Sequence, residues 1–526
     1  MADGTGNQHS PQTDPGRNDP RGLGSSSRNL WRGPQTPRNR FRCKSGLAGQ
    51  SCPGPGLRRL ACVAHATTDS RSQPPSAAAR TATNRTGASP SPETAHLMPY
   101  QPARVIEALV WDVSVGAVAL DPDTGYYVFE YQDSWIKRGV ELSPLRMPTR
   151  RAPYQFPDLP ERTFYRLPAM LADSLPDRFG NALVTAKLAD GGIPETEITS
   201  LDRLAYASDR AMGALEYVPP AEDQGHKTTA VQLADLVVAA RKAVRGEFTG
   251  DDETLRALQE LIQVGTSAGG ARPKAVVCFN PTTGQIRSGQ FEAPEGFEHW
   301  LLKLDGVEEG QFLSTAGYGR IEYAYSIMAK RCGIAMMPCR IQQEGDRAHF
   351  MTKRFDRPSD GSKVHVQSLC ALDHLDFNLA GTHSYAQYFD VIDRLALGPD
   401  ALEQAFRRVA FNVAAVNRDD HTKNLSFCCD QTGSWSLAPA YDINYAYNPS
   451  GDWTHRHQMS VNGKFEGISR NDLLELADRF LVPSPKRVLD EVLDGVRNWP
   501  AHAEEAQVSG RDIDRVQENM TAFRPS

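Results

Sequence analysis

Asn417-Arg418-Asp419-Asp420-His421-Thr422-Lys423-Asn424 is followed closely by Leu437-Ala438-Pro439-Ala440-Tyr441-Asp442. The first stretch gathers two carboxylates, a lysine and amides in one loop; the second returns a further carboxylate. Upstream, Ala401–Asn417 (ALEQAFRRVAFNVAAVN) has apolar residues at helical intervals, which predicts a largely buried helix running into the polar loop. Leu425–Cys429 and Ser434–Leu437 are short apolar runs on either side of Asp430-Gln431-Thr432-Gly433, the pattern of a hairpin. Asp419 and Asn424 should therefore lie on a loop after a helix, with Asp442 delivered beside them by the second strand. An Asp and an Asn five residues apart, joined by a later Asp, are what a protein kinase uses to accept a hydroxyl proton and to hold metal on ATP phosphates. Asp-Asp-His alone is more often a solvated turn. Lys423, Asn424 and Tyr441-Asp442 in an apolar setting shift the balance toward chemistry. Either Asp419 or Asp420 could accept the proton, and the five-residue spacing favours Asp419.

The chain has 526 residues, 40% of them apolar and 23% charged, enough for two or more cores in a soluble enzyme. No run of 18 apolar residues suggests a membrane span. Nine cysteines show no paired metal-ligand spacing, so a reducing cytoplasm is expected, with Cys428-Cys429 in a strand core. Residues 1–97 hold 13 Arg or Lys against five Asp or Glu, a net +8, which leaves about −14 on residues 98–526. So acidic a body disfavours direct binding to a nucleic-acid backbone. The Ser-, Pro-, Gly- and Arg-rich 1–97 stretch cannot build a core and is expected to be a disordered basic extension. The working protein is expected to start at or near Met98, the stretch before it being dispensable or the product of an overlong gene model.

Val105–Tyr131 alternates as short antiparallel strands around a turn at Asp121–Gly125. Asp173–Gly180 reads as a turn burying Leu175 and Phe179. Thr228–Gly246 and Asp251–Val264 read as amphipathic helices. The second leads into Gly265-Thr266-Ser267-Ala268-Gly269-Gly270-Ala271-Arg272-Pro273-Lys274, either a hairpin turn or a loop whose amides cradle anionic oxygens. It is not a Walker A loop, because it lacks the Gly-Lys-Ser/Thr ending and leads into a strand. Glu298–Leu304 is a strand with Lys303 in apolar company, which either snorkels to solvent or needs a partner such as phosphate. Glu322, on the first turn of a helix over Tyr318–Cys332, could order it. Tyr445, Tyr447 and Trp453 either pack or line a polypeptide-binding face, and Asp356-Arg357 reads as a structural pair. Leu473–Phe480 and Lys486–Val496 close the fold as helices, followed by a polar, frayed end.

Four separated motifs, Asp173–Gly180, Gly265–Lys274, the Asp-x-His-x-Lys-Asn loop Asp419–Asn424 and Ala440-Tyr441-Asp442, together resemble the HipA-like serine/threonine kinases of bacterial type II toxin-antitoxin modules, across about residues 104–510. The resemblance implies an α+β, two-lobed protein-kinase-like fold. Its expected parts are a β-rich N-terminal subdomain (98–220), a kinase N-lobe (221–355), a helical C-lobe (356–510) and a flexible tail (511–526). It implies ATP and Mg2+, with Asp419 and Lys423 catalytic and Asn424 and Asp442 holding metal. Ser267, Gly269, Gly270 and Lys303 would meet the phosphates, and backbone near Met351 and Lys353 would meet the adenine. His421 would brace the loop beside the nucleotide, and Ser267 would be the autophosphorylated position. The implied partners are a small helix-turn-helix antitoxin (HipB-like), a protein substrate in translation, DNA only through the antitoxin, and a homodimer within that complex.

Overall fold

The computed structural model describes residues 103–176, 178–190, 192–219, 233–245, 273–289, 292–307 and 317–520. The predicted extension over 1–97, the helix over 251–264, and Ser267, Gly269 and Gly270 lie outside the described residues.

The first sheet forms as the alternation predicts. In β1 (Val105–Val110) Ile106, Ala108 and Val110 are buried while their neighbours face outward. β2 (Val113–Leu120) returns after Trp111-Asp112, both at positive φ (52° and 59°), the mirror-image turn that matches strand twist. With β3 (Tyr127–Tyr131) and β4 (Leu215–Val218) the order is β3-β2-β1-β4. Its apolar face packs on Trp135, Phe164, Met170 and Leu204.

The second sheet comprises β5 (Lys274–Phe279), β6 (Ile286–Ser288), β7 (Glu298–Lys303), β8 (Cys339–Glu344) and β9 (Arg347–Lys353), in the order β6-β5-β7-β9-β8. Leu302 and Met351 share a core with Leu236, Val237 and Ala240 of the helix Leu233–Arg245. Side chains alternate across a sheet, so Lys303 and its cross-strand partner Phe350 point the other way, toward the helix Tyr318–Arg331. That helix lies close on β9: a Cβ at Gly319 would stand 1.9 Å from the Ala348 carbonyl oxygen, so only glycine fits.

The third body is mostly helical. Pro399–Ala414, the predicted buried helix, packs among Tyr385–Arg394, Arg470–Arg479 and Pro485–Arg497. β10 (His365–Ser368), β12 (Ser426–Cys429) and β13 (Trp435–Leu437) pair in that order, and the two-residue strands β11 (His383–Ser384) and β14 (Met459–Ser460) pair in parallel. Asp356 is buried beneath Arg354 and Arg357 and also accepts the Gly213 amide (2.8 Å), fastening the first sheet to the segment after β9. The expected frayed end is corrected in part. Residues Gly510–Asn519 form a helix capped by Ser509, with Val516 fully buried and the Ile513 carbonyl accepting the Trp499 indole N–H (3.1 Å). One apolar stripe was enough to dock a segment whose overall composition is polar. Among the described residues no helix is long and apolar enough to cross a membrane.

His365 is fully buried, donates from Nε2 to the Leu142 carbonyl (3.0 Å) and has no partner at Nδ1 among the described residues. Burial pushes its pKa from 6.5 down to about 4, against the upward pull of that carbonyl. Within that window the unfolded chain takes up a proton that the folded histidine refuses, so stability falls as pH drops. The unfolding free energy from urea melts should decline from pH 6.5 toward 4, by up to ~1.4 kcal/mol per pH unit for this residue, and His365→Leu should flatten the slope.

Candidate active site

The helix Pro399–Ala414 ends where Val416 turns at φ 55°, and Asn417 then donates its amide to the Asn412 carbonyl and its Nδ2 to Asn412 Oδ1 (both 2.9 Å). The loop that follows is fixed on both sides. The Arg418 amide bonds the Ala446 carbonyl (3.0 Å), and Thr422 Oγ1 donates to the Leu375 carbonyl (2.7 Å).

The adjacent aspartates do different work. Asp420 is buried and accepts from Tyr385 Oη (2.7 Å), His457 Nδ1 (2.8 Å) and the Gln458 amide (2.7 Å). Such a carboxylate is a structural anchor, with little capacity left for a substrate. The Asp419 side chain is 40% exposed and, among the described residues, receives one close donor, the Trp453 indole Nε1 at 2.6 Å; His421 Nε2 stands 3.8 Å away. Of the two, Asp419 is the one a hydroxyl could reach. Asn424 donates its Nδ2 to the Asp419 carbonyl (2.8 Å), which leaves its Oδ1 as an acceptor.

Asp442 follows β13 with φ at 52°, left-handed backbone that a non-glycine residue adopts at some cost and that places its carboxylate away from the strand's line. Its neighbour Tyr441 donates its hydroxyl to the Lys423 carbonyl (2.8 Å) and meets Ser426 Oγ (2.6 Å), so the two loops are tied together. Lys303 Nζ bonds Asp442 Oδ1 at 2.5 Å and Glu322 Oε1 at 2.6 Å. Burial works against the ammonium, but the carboxylates of Asp442 and Glu322 outweigh it and raise its pKa above the ordinary value. Asp442 lines one recess, and Lys303 and Glu322 line another. One, about 330 Å3 with its open mouth, is lined by Asn417, Asp420, Asn424 and Asp442 among others; the other, about 310 Å3, by Lys303, Asp305, Tyr318, Glu322 and Phe350.

The remaining expected site residues are placed as follows. Lys423 is half-buried with Nζ 5.5 Å from the centre of the Phe377 ring, and His421 lies between Phe377 and Trp453. Met351 is corrected: it is fully buried in β9 between β7 and β8, so its backbone is committed to the sheet and is not free for an adenine. Lys353, at the end of β9, gives its ammonium to Glu298 (2.8 Å) and its amide to the Pro338 carbonyl (2.9 Å). Sequence reasoning missed the Lys303–Asp442 bond and the support from Tyr385, His457 and Gln458. The only signal was the crowd of donors in Trp453-Thr454-His455-Arg456-His457-Gln458 soon after Asp442.

A model of the HipA N-terminal domain matches residues 106–218, and one of the HipA-like C-terminal domain matches residues 266–502. The chain belongs to the HipA family. Its fold is similar to the HipA of a Shewanella oneidensis MR-1 toxin-antitoxin system, solved with HipB and operator DNA. That match has a TM-score of 0.55 at 16% identity and covers 79% of this chain and 95% of that chain. A proinflammatory kinase of Helicobacter pylori, CtkA, matches 43% of this chain and 92% of its own at 12% identity, with a TM-score of 0.28. No curated protein sequence matches the chain. For this HipA-family chain the two-lobed, kinase-like reading of the fold holds, with the β-rich subdomain at its N-terminal side.

Among the described residues no three His, Cys, Asp or Glu side chains gather to hold a metal. Asn424 Oδ1 and the Asp442 carboxylate, hard oxygen donors lining one recess, are of the kind that could hold a divalent cation such as Mg2+.

The division of labour between the aspartates is testable by urea unfolding. Asp420→Ala strands three buried donors and should cost roughly 3 kcal/mol or more, while Asp419→Asn should stay within about 1 kcal/mol of the native chain.

Proposed function

We propose that this chain is an ATP- and Mg2+-dependent protein serine/threonine kinase, the toxin of a toxin-antitoxin pair, acting in the cytoplasm on a component of translation such as an aminoacyl-tRNA ligase. The observation that carries this reading is the convergence of Lys303, Glu322 and Asp442, with Asp419 and Asn424 on the loop tied to Asp442.

In this reading Glu322 holds Lys303 ready for the α and β phosphates of ATP. Asn424 and Asp442 would hold Mg2+, which would offset phosphate charge. Asp419 orients the substrate hydroxyl and takes its proton as the oxygen bonds to the γ-phosphorus. The bond from that phosphorus to the bridging oxygen breaks, and ADP leaves with the electron pair. Lys423 offsets charge on the transferring group. Adenine would need backbone groups beyond those of Met351. Ser267, the proposed autophosphorylation site, would carry negative charge where ATP's phosphates must lie, so its modification would switch the enzyme off by repulsion. The partner would be a HipB-like helix-turn-helix antitoxin, with DNA reached only through it.

The chain, γ-labelled ATP, Mg2+ and a cell lysate together should label one host protein or Ser267. Asp419→Asn and Asn424→Ala should each lower transfer by roughly 10²-fold or more while leaving the fold intact, and Asp442→Asn should lower it as much while also loosening the seat of Lys303. Label on metabolites alone would make it a small-molecule kinase, and no label at all a binding or corepressor module.

A further inference from the structure

Transfer alone does not explain why an indole sits on the carboxylate of Asp419. We propose that Trp453 is a positioning residue for the phosphoryl-transfer reading above: its N–H occupies Asp419 Oδ1 (2.6 Å) and thereby reserves Oδ2 as the oxygen that receives the substrate proton.

A partly exposed aspartate otherwise exchanges rotamers and offers either oxygen. A short N–H donation to a carboxylate is among the stronger hydrogen bonds available to hold it. The donor is also chemically apt. An indole N–H donates only and accepts nothing, so it cannot compete for the hydroxyl proton. Its bond also survives the step, because once the proton is on Oδ2, Oδ1 remains an acceptor. Among the described residues Asp419 Oδ2 has no hydrogen-bond partner, so one oxygen is engaged and the other open.

The loop that carries Trp453 is fastened well beyond what one surface tryptophan needs. Gln458 Nε2 donates to the carbonyls of Trp453 (2.5 Å) and Arg456 (3.1 Å), while the Gln458 amide and His457 Nδ1 are both held by buried Asp420. Arg418 lies over the Tyr447 ring (4.2 Å) and bonds the His455 carbonyl, and His455 Nδ1 bonds Gly451 (2.9 Å). Asp420 thus fixes the loop whose indole fixes Asp419, so the Asp-Asp pair orients one member through the other. The indole edge against the His421 ring (6.1 Å) limits its tilt from the remaining side.

The test uses the full chain with 5-fluorotryptophan and single-turnover kinetics. Trp453→Phe keeps the ring and removes the donor. It should lower the transfer rate by about 10- to 100-fold, leave KM for ATP within about twofold and leave the urea midpoint unchanged. The 19F resonance of Trp453, identified by its loss in Trp453→Phe, should keep its place in Asp419→Asn, where an amide oxygen still accepts, and move in Asp419→Ala. A Trp453→Phe chain that turns over within about twofold of the native one, or whose loss matches a lowered folded fraction, overturns the proposal alone; so does a resonance indifferent to Asp419→Ala. A native chain that transfers no phosphate ends both this proposal and the kinase reading.

Discussion

The structure turns on one buried ammonium. Lys303 projects from the central sheet into a region where, among the described residues, Glu322 from a helix and Asp442 from the far lobe neutralise it. Removing a charge from water costs several kcal/mol, and only close, well-formed pairing returns it. The site therefore depends on three segments distant in sequence meeting at one nitrogen. Gly319 permits that meeting, because no other residue lets the helix bearing Glu322 come so near β9. The left-handed turn at Asp442 completes it from the other lobe.

A second constraint follows from the neighbouring aspartates. Consecutive residues on a fixed loop face different surroundings, so one can be buried as an anchor while the other stays open to a substrate. Asp420 spends its acceptors on Tyr385, His457 and Gln458, and this holds the loop of Trp453 against Asp419. Rigidity beneath and access above are what a proton-accepting carboxylate requires.

Much of this was legible in the sequence because it rests on local pattern. Helical periodicity located Pro399–Ala414, alternation located the first sheet, and the Asp430–Gly433 turn located the hairpin that delivers Asp442. That Lys303 either snorkels or needs a partner followed from its apolar setting, and Glu322 was a candidate to order it; the structure buries the ammonium against Glu322. What was not legible depended on tertiary pairing. Periodicity does not reveal that Met351 is sandwiched by strands on both sides, or that Lys353 is engaged by Glu298. Nor does it show that an indole from the loop after Asp442 meets Asp419. The docked helix Gly510–Asn519 was missed because composition averaged over its polar face hid its single stripe.

Calorimetric titration of ATP against the native chain, Lys303→Met and Asp442→Asn, each with and without Mg2+, tests the central claim most directly. The account predicts that Mg2+ tightens binding to the native chain, that Asp442→Asn abolishes this enhancement, and that Lys303→Met weakens binding under both conditions. Equal affinity in all three chains would contradict it.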